Sequence, residues 1–354
     1  MKSITDVDKN LAVNDVIEKD GIEFYRMPQA PFSLHGVYYE NGAFRRIPTD
    51  VAERTSEGVV VLHTHTAGGR VRFCTDSPFV AIKTHQSVIS RMPHFAITGT
   101  ASFDMYTRID GGDYRFFGTF VPPYDVQDGY ESRLDFGERR MREITINFPL
   151  YSNVEELLIG LDKGSVVEAP APYINDKPIV YYGSSITQGG CASRAGNAYP
   201  SRISRMLDCD YINLGFSGSA KGEPAIVEHM ASMDMGMFVL DYDHNAPSKE
   251  HLRATHKPLF DAIRKTHPDI PILMLSTTTV SRYFDNRDER RQIIYDTYES
   301  AVKHGDKNVY FMAGTDIFQE EVIGATVEGC HPGDLGFYLM ANAIGAKIKE
   351  ILKL

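Results

Sequence analysis

The first half of the chain has the hydrophobic pattern of a β protein. Short apolar and β-branched segments recur up to about residue 170, and turn residues such as those at 67–69 and 110–113 separate them. The segments that we predict to be strands lie at residues 59–66, 71–74, 79–84, 103–108, 114–120, 143–148 and 157–161. Because many short strands with little helix are typical of a β-sandwich or jelly roll, we predict such a domain over residues 1–170.

The second half changes to alternating strands and helices after a proline-rich stretch at residues 169–178. The predicted strands lie at residues 179–182, 211–214, 237–240, 272–275 and 309–312. The predicted helices lie at residues 199–207, 223–233, 248–267, 287–304 and 333–353. This alternation predicts an α/β domain over residues 171–354, with a parallel sheet covered by helices on both faces.

Composition and charge argue against some binding partners and bear on where the protein is located. Of the 354 residues, 42% are apolar and 24% are charged, as in an ordinary globular protein. The net charge of −10, without a basic tract, argues against a nucleic acid or an anionic membrane as partner. The N-terminus lacks the apolar segment of a signal peptide, and no apolar run approaches the ~20 residues that span a bilayer. We therefore expect a cytoplasmic protein, although a chain from which a leader had been removed would look the same.

Cysteines and histidines give no strong indication of a metal. The chain has 4 cysteines without C-x-x-C spacing, which predicts neither a zinc site nor a disulfide framework. Cys330 lies beside a histidine, and we interpret it as a bystander. His63 and His65 are two residues apart on the predicted strand at 59–66. They are either a metal pair or, as we prefer, part of an ordinary half-exposed strand.

Four loops at strand ends carry the residue types of acyl-transfer chemistry. Ser185 follows the first strand of the second half, where open α/β sheets bind ligands, and it is a nucleophile only if a base lies within reach. Gly218, after the next strand, can offer its backbone N–H, and Asn245, after the third, can donate from its amide. Glu328 lies three residues before His331, so its carboxylate can fold back and hold the imidazole.

Each of these residues has a simpler interpretation when it is taken alone. Ser185 is explained as a helix N-cap, and Asn245 as a loop cap. Gly218 is explained as part of a strand-to-helix loop, in which we expect Gly215 to be the tight-turn residue. An acidic residue also lies close to some histidine by chance in many chains. Only the combination of all four loop motifs, in this order along the chain, favours a hydrolase.

Together the four blocks resemble the SGNH (GDSL-like) hydrolase superfamily, whose motifs carry serine, glycine, asparagine and histidine in this sequence order. Ser185, Gly218, Asn245 and His331 match those motifs one by one. The resemblance implies a flavodoxin-like fold for the second half, with a parallel sheet flanked by helices.

A narrower resemblance covers the first half as well. The segment at 182–194 is similar to a bacterial subgroup with an N-terminal β-domain, which carries a Gly-x-Asp-Leu-Tyr signature. Residues 102–106, Ser-Phe-Asp-Met-Tyr, resemble that signature. Two positions depart from the family pattern: Ser184 replaces the usual aspartate before the nucleophile, and Glu328 replaces the aspartate that precedes His331. The longer glutamate either orients the histidine from a shifted backbone or leaves that role to a main-chain carbonyl.

The resemblance implies acyl transfer to water. His331 would take the proton of Ser185 while Glu328 holds the imidazole. The N–H groups of Ser185 and Gly218, with the Asn245 amide, would bind the oxyanion. The reaction needs no metal and no cofactor.

In this superfamily, a hydrolase domain that follows an N-terminal β-domain resembles carbohydrate esterases. The resemblance therefore implies a short-chain ester as substrate, with acetyl as the expected acyl group, carried by a small molecule or an oligosaccharide. Two alternatives within this fold stay open: an esterase or thioesterase for a non-sugar acyl substrate, and a glycan-binding protein with a degenerate hydrolase domain. A third is a structural homo-oligomer built through the β-domain.

Overall fold

The first half of the chain folds mainly into antiparallel strands. The structure is a computed structural model, and it describes residues 4–13, 17–278, 286–318 and 323–354. The strands of this half are β1 (Ile22–Arg26), β2 (Ser33–His35), β3 (Tyr38–Glu40), β4 (Ala43–Arg45), β5 (Arg70–Thr75), β6 (Phe79–His85), β7 (Phe103–Arg108), β8 (Arg115–Phe120), β9 (Gly129–Asp135), β10 (Arg142–Asn147), β11 (Glu156–Asp162) and β12 (Val167–Glu168). The short helices are α1 (Ile4–Val7), α2 (Thr49–Thr55), α3 (Glu57–Leu62) and α4 (Ile97–Thr100), with a 3₁₀ turn at Lys9–Leu11. We call this half, up to Glu168, the β half.

Two sheets of the β half face each other across one apolar core. Within the described residues, one sheet has the strand order β1-β11-β6-β9 and the other has the order β12-β5-β10-β7-β8, with β2 added on β5. Alternate residues of both sheets point inward, and examples are Phe73 and Ile144 from one sheet and Ile82 and Ile159 from the other. The β half is therefore a β-sandwich, as its sequence pattern predicts.

The predicted strand at residues 59–66 is wrong, because the first half of this segment belongs to the helix α3 (Glu57–Leu62) and the rest forms no regular strand. The Ser56 hydroxyl caps the helix by accepting the Val59 N–H at 3.3 Å. Val59 and Leu62 are buried three residues apart, whereas Val61 between them is 60% exposed. This spacing is helical, and it overrides the β propensity of three consecutive valines. His63 and His65 follow the helix and are buried, so they do not lie on a half-exposed strand.

The second half contains the predicted parallel sheet. Its strands are β13 (Ile179–Gly183), β14 (Tyr211–Gly215), β15 (Met237–Asp241), β16 (Ile272–Leu275) and β17 (Val309–Met312). Its helices are α5 (Ser185–Gln188), α6 (Tyr199–Leu207), α7 (Pro224–Ser232), α8 (Lys249–Thr266), α9 (Arg287–Lys303), α10 (Gly314–Ile317) and α11 (Asp334–Leu352), with 3₁₀ turns at Ala195–Asn197, Asp243–Asn245 and Ile323–Ala325. We call this part, from Ile179 onward, the parallel-sheet half.

The strand order of the parallel sheet creates a crevice at one edge. In the described chain the order is β14-β13-β15-β16-β17, so β13 lies between the strands that follow it in sequence. This is the flavodoxin-like order, and such sheets bind ligands beyond the carboxyl ends of the strands where the order reverses. Separate apolar clusters cover the two faces of the sheet. A ligand-binding site is therefore expected in the crevice at the carboxyl end of β13.

Buried ion pairs join the two halves. Arg70 of the β half is 1% exposed and pairs with Asp210, which also accepts a hydrogen bond from His35 at 3.0 Å. Burial alone opposes ionisation of Asp210, but Arg70 and His35 lower its pKa to about 2. Arg108 forms a second link by pairing with Asp208 at 2.9 Å. Among the helices that the structure describes, none combines the length and the apolar character that crossing a bilayer requires.

Candidate active site

The loop after β13 separates the roles of two neighbouring serines. Ser184 is fully buried, and its hydroxyl accepts the Ile186 N–H at 3.1 Å as the N-cap of α5. Ser185 is the first residue of α5, is half-buried, and does not serve as the cap. The helix-cap interpretation therefore belongs to Ser184, and the hydroxyl of Ser185 is left for other chemistry.

Close packing between α5 and β14 explains a glycine at the end of that strand. Gly215 is the last residue of β14 rather than a turn residue, which corrects our expectation from the sequence. A Cβ atom at this position would lie 2.2 Å from the Gln188 nitrogen. Only glycine lets the helix α5 lie this close to the strand.

The structure brings the Ser185 hydroxyl and the His331 imidazole together. Ser185 Oγ lies 2.9 Å from His331 Nε2, although 146 residues separate them in sequence. The other ring nitrogen, Nδ1, lies 2.5 Å from Glu328 Oε1. Because an ionised carboxylate only accepts, the imidazole proton belongs on Nδ1, and Nε2 carries the lone pair that faces the serine. These three side chains have the connectivity of a serine-hydrolase triad.

Glu328 reaches the imidazole from a tight local loop. Besides the side-chain contact, its carboxylate oxygens accept the His331 N–H at 3.1 and 3.3 Å. Partial burial opposes ionisation, but the hydrogen bonds from His331 lower the pKa of Glu328 below its ordinary value. The sequence left open whether Glu328 or a main-chain carbonyl contacts the imidazole. In the structure the Glu328 side chain contacts Nδ1.

Gly218 and Asn245 lie together, but each partly satisfies the other. Gly218 has a φ of +66°, which glycine adopts freely, and its N–H donates to Asn245 Oδ1 at 3.2 Å. Asn245 Nδ2 in turn donates to the Phe216 carbonyl at 2.7 Å. The orientation of the Asn245 amide is fixed by these two backbone groups, and one of its two N–H bonds stays available. The only N–H of Gly218 is already engaged.

Strand register places these residues at the same sheet edge. Gly183 at the end of β13 lies opposite Gly215 on one side and Asp241 on the other. The Phe216 N–H also donates to the Gly183 carbonyl at 2.9 Å, which ties the second loop to the first. The loops after the first three strands of the sheet therefore converge on the Ser185 region.

Groups of the β half also reach these loops, and no pattern in the sequence predicted them. The Tyr151 hydroxyl lies 3.4 Å from the Ser185 carbonyl. Gln188 in α5 donates to the Leu150 carbonyl at 3.1 Å and accepts the Ser217 N–H at 3.1 Å. The β half therefore contacts the helix α5 directly and, through Gln188, is linked to the loop that follows β14.

Arg46 is a buried charged residue among these supports. Its guanidinium donates to the carbonyls of Asn213, Gly215 and Leu62, and it lies over the Phe216 ring at 4.6 Å from the centroid. Burial lowers the pKa of Arg46 to about 9, and the side chain is 4% exposed. The arginine holds the end of β14 and the start of the following loop in place.

A buried carboxyl group lies beside the helix α5. Asp241 Oδ2 accepts hydrogen bonds from the Thr187 and Tyr199 hydroxyls, each at 2.9 Å. Burial raises the pKa of Asp241 to about 7, while these hydrogen bonds act in the opposite direction. This network connects α5 and α6 to the end of β15.

The histidines His63, His65 and His244, which the sequence analysis considered or which lie in its motifs, are held in buried or partly buried surroundings. Burial lowers the pKa of His65 to about 3, with Arg46 adding to the effect, and its Nδ1 lies 3.3 Å from Gln188 Nε2. Within the described part of the chain, the groups of three or more potential metal ligands include neither His63 nor His65. Burial also lowers the pKa of His244 to about 4, with the attraction of Asp243 opposing it.

Comparisons with known proteins give a separate family match for each half of the chain. Residues 176–349 match the GDSL-like lipase/acylhydrolase family, and residues 22–167 match a family that forms the N-terminus of SGNH-hydrolase-type esterases. Both halves of the chain are thus assigned by separate matches. A comparison with curated proteins finds no significant match.

Three solved structures are similar over nearly the whole chain. A protein described as a GDSL-like lipase from Bacteroides ovatus is 29% identical, with a TM-score of 0.83 over 94% of this chain and 98% of that chain. The salicylyl-acyltransferase SsfX3 of a tetracycline biosynthetic pathway is 19% identical, with a TM-score of 0.78 over 95% and 99%. The acetyl xylan esterase Est2A from Butyrivibrio proteoclasticus is 13% identical, with a TM-score of 0.60 over 94% and 99%. The last two are related to this chain by fold.

Proposed function

Because residues 176–349 belong to the GDSL-like lipase/acylhydrolase family and follow the N-terminal domain of SGNH-type esterases, we propose that this protein is a serine esterase for short acyl groups. The acyl group that we favour is acetyl, carried by a carbohydrate or another small polar alcohol. The observation that supports the proposal most is the distance of 2.9 Å between Ser185 Oγ and His331 Nε2. A degenerate hydrolase domain that only binds glycans would have no reason to keep this pair.

The first chemical step forms an acyl-enzyme. Ser185 Oγ attacks the ester carbonyl carbon, and its proton passes to His331 Nε2. Glu328 stabilises the resulting imidazolium through its contact with Nδ1. When the tetrahedral intermediate collapses, the bond from the carbonyl carbon to the alcohol oxygen breaks, and the alcohol leaves with the proton from Nε2.

The second step returns the free enzyme. A water molecule gives its proton to His331 Nε2 and attacks the carbonyl carbon of the acyl-enzyme. The bond to Ser185 Oγ then breaks, Oγ recovers the proton, and the carboxylic acid leaves. His331 thus acts first as base and then as acid in each half of the cycle.

The carbonyl oxygen of the ester becomes negatively charged in the tetrahedral intermediate, and hydrogen-bond donors must stabilise it. Three such donors lie within the candidate site. The Ser185 N–H lies in the first turn of α5, where no helical acceptor exists for it. Asn245 keeps a second amide N–H beyond the one given to Phe216. Gly218 would have to share its N–H with Asn245 Oδ1, so we rank it as the weakest donor. One such donor typically contributes ~10²–10³ in turnover.

Support for a carbohydrate substrate comes from the related folds and from the site. The acetyl xylan esterase has the same two-part architecture over almost its full length. Gly218 is exposed and Asn245 half-buried, so the polar side of the candidate site opens to solvent. The chain has no tryptophan, which favours a small polar ester over an extended polysaccharide surface.

The decisive experiment is a release assay for free acetate. Purified protein is incubated with acetylated mono- and oligosaccharides and with 4-nitrophenyl acetate as a general probe. We expect free acetate from the wild type and none from Ser185→Ala. Transfer of the acetyl group to a second alcohol without free acetate would overturn hydrolysis, and glycan binding without turnover would overturn the esterase itself.

Ser184→Ala is the matched control for the nucleophile. It removes the neighbouring hydroxyl, which caps α5, and we expect it to lower the free energy of unfolding by ~1 kcal/mol while acetate release persists. Activity that disappears in Ser184→Ala and persists in Ser185→Ala would show that the wrong serine was chosen.

A further inference from the structure

Three potential metal ligands converge beside the candidate base. The side chains are His94, Cys191 and His331, and their ligand atoms all lie within 4.8 Å of one another. In a tetrahedral zinc site, bonds of ~2.0–2.3 Å place two ligand atoms about 3.5 Å apart. Side-chain rotations that move each atom by about 1 Å would therefore close the cluster around one ion.

The three residues come from three separate parts of the fold. His94 belongs to the β half, Cys191 follows the helix α5, and His331 precedes α11. Phe95, next to His94, is buried against Tyr151 with ring centroids 5.2 Å apart, so the backbone at His94 is anchored to the site. Their convergence is thus a property of the tertiary structure, and cysteine spacing in the sequence predicted no zinc site.

The backbone at Cys191 points to a role for its side chain. Cys191 has a φ of +73°, in a region that glycine adopts freely and that other residues adopt only at an energetic cost. The two preceding residues, Gly189 and Gly190, are glycines, yet this position carries a thiol. Hydrogen bonds from the Gly190 and Ala192 N–H groups, at 2.7 and 3.1 Å, hold the loop in this conformation.

We propose that His94, Cys191 and His331 form a binding site for Zn²⁺ whose occupation switches off the candidate esterase. Two imidazole nitrogens and one thiolate suit Zn²⁺, and an open fourth position is left for water. Binding releases the Cys191 thiol proton to solvent. The inhibition rests on the proposed function, whereas the binding of the metal does not.

Inhibition follows whichever nitrogen of His331 binds the metal. A neutral imidazole has one lone pair, and the proposed mechanism uses it to accept the Ser185 proton. Zinc on Nε2 occupies that lone pair directly. Zinc on Nδ1 displaces Glu328 and puts the ring proton on Nε2, which then cannot accept another. Either geometry removes the base.

A second group, Glu328, Cys330 and His331, also satisfies the distance criterion, but the first is the better site. The members of the second group are close because they are neighbours in sequence. Its Glu328 carboxylate already accepts hydrogen bonds from both the ring and the backbone of His331, so a metal would have to break them. Cys330 therefore provides a control for Cys191.

The first test measures binding of zinc alone to the full chain, by competition with a chromogenic chelator. Burial raises the pKa of the Cys191 thiol to about 12, which weakens binding, and we expect a micromolar Kd with one ion per chain. His94→Gln and Cys191→Ser should each weaken binding at least about tenfold, and Cys330→Ser should not. No binding by the wild type, or weaker binding in Cys330→Ser than in Cys191→Ser, would overturn the proposal.

The second test uses spectroscopy and turnover. Co²⁺ in place of Zn²⁺ should give a near-ultraviolet thiolate-to-metal charge-transfer band that Cys191→Ser lacks and Cys330→Ser keeps. Zinc should inhibit acetate release reversibly, with recovery on adding a chelator, and each variant is compared with its own metal-free rate. Zinc binding in a protein without esterase activity would support the site and refute only the proposed function. Equal inhibition of the wild type and both ligand variants would overturn the link between the site and inhibition.

Discussion

The two halves of the molecule contribute to the candidate site in different ways. The parallel-sheet half supplies the residues proposed for chemistry, among them Ser185 and His331, and these are half-buried side chains on loops. The β half supplies Arg46, Leu150 and Tyr151, which are buried and contact mainly backbone groups of those loops. Chemistry is thus concentrated in one half, and the other half determines where its loops lie.

The signature-like segment of the β half illustrates this division. Asp104, in residues 102–106, is fully buried and accepts hydrogen bonds from the Gly196 N–H and the Asn147 amide, each at 2.8 Å. Burial raises the pKa of Asp104, and Asn147 and Arg205 act against that effect. Gly196 lies in the connection between α5 and α6, so this aspartate holds a loop of the parallel-sheet half. Residues that support a site can therefore be as buried as any core residue.

The comparison predicts that variants of the parallel-sheet half lose turnover without losing stability. His331→Ala should lower kcat by ~10⁴-fold or more, because the base for Ser185 is gone. The melting temperature should hardly change, since His331 is half-exposed. His304→Ala, at an exposed histidine outside the site, is the control and should leave turnover unchanged. Substantial turnover in His331→Ala would contradict the assignment.

Variants of the β half should lose mainly stability and lose turnover only to a smaller extent, and Arg46→Met is the strongest case. It leaves three backbone carbonyls without their donor, and we expect the free energy of unfolding to fall by about 4 kcal/mol. Turnover should also fall by about tenfold, because the Gly215 region shifts. Urea unfolding and steady-state kinetics measure the two effects. Arg45→Met, at the neighbouring half-buried arginine, should cost less than ~1 kcal/mol, and equal effects at both positions would refute the support role.

Asp210→Asn tests the link between the halves. It leaves the buried Arg70 without a carboxylate, and the free energy of unfolding should fall by about 3 kcal/mol at neutral pH. Because the folded-state pKa of Asp210 is lowered to about 2, its contribution is complete above an unfolded-state pKa of about 3.9 and is lost as the pH falls toward 2. The difference between wild type and variant should therefore shrink between those values.

Urea titrations at several pH values measure this difference. Asp261→Asn removes the exposed pair with Lys257 and serves as control, with an expected effect within about 0.5 kcal/mol. A difference between wild type and Asp210→Asn that stays constant down to pH 2 would show that Arg70 does not lower the pKa of Asp210.

The smallest expected effect is at Glu328. Glu328→Gln keeps an acceptor near Nδ1 but removes the charge that stabilises the imidazolium, so kcat should fall by about 10–10²-fold. Stability should be nearly unchanged because the carboxylate is partly exposed. A loss as large as that of His331→Ala would show that the charge is indispensable, and no loss would show that the backbone alone orients the histidine.

The two halves also differed in how well local sequence predicted them. The predicted strand at 237–240 corresponds to β15 (Met237–Asp241), and the predicted helix at 199–207 is α6. Buried parallel strands read as continuous apolar runs, and helices carry caps and helical periodicity, so both signals are local. In the β half, β1 and β9 were not predicted and residues 59–66 were assigned to the wrong class. Antiparallel strands depend on partners far along the chain.

The sequence by itself determined the order of elements in the parallel-sheet half and the identity of the residues that carry its motifs. Only the tertiary structure decided that Ser184 caps a helix while Ser185 faces His331, and that Gly218 and Asn245 engage each other. It also decided that Arg46, Tyr151 and His94 of the β half lie at the same loops. The physical reason is that apolar patterns and caps act over a few residues, whereas hydrogen-bond partners at a sheet edge are set by how two separate halves pack.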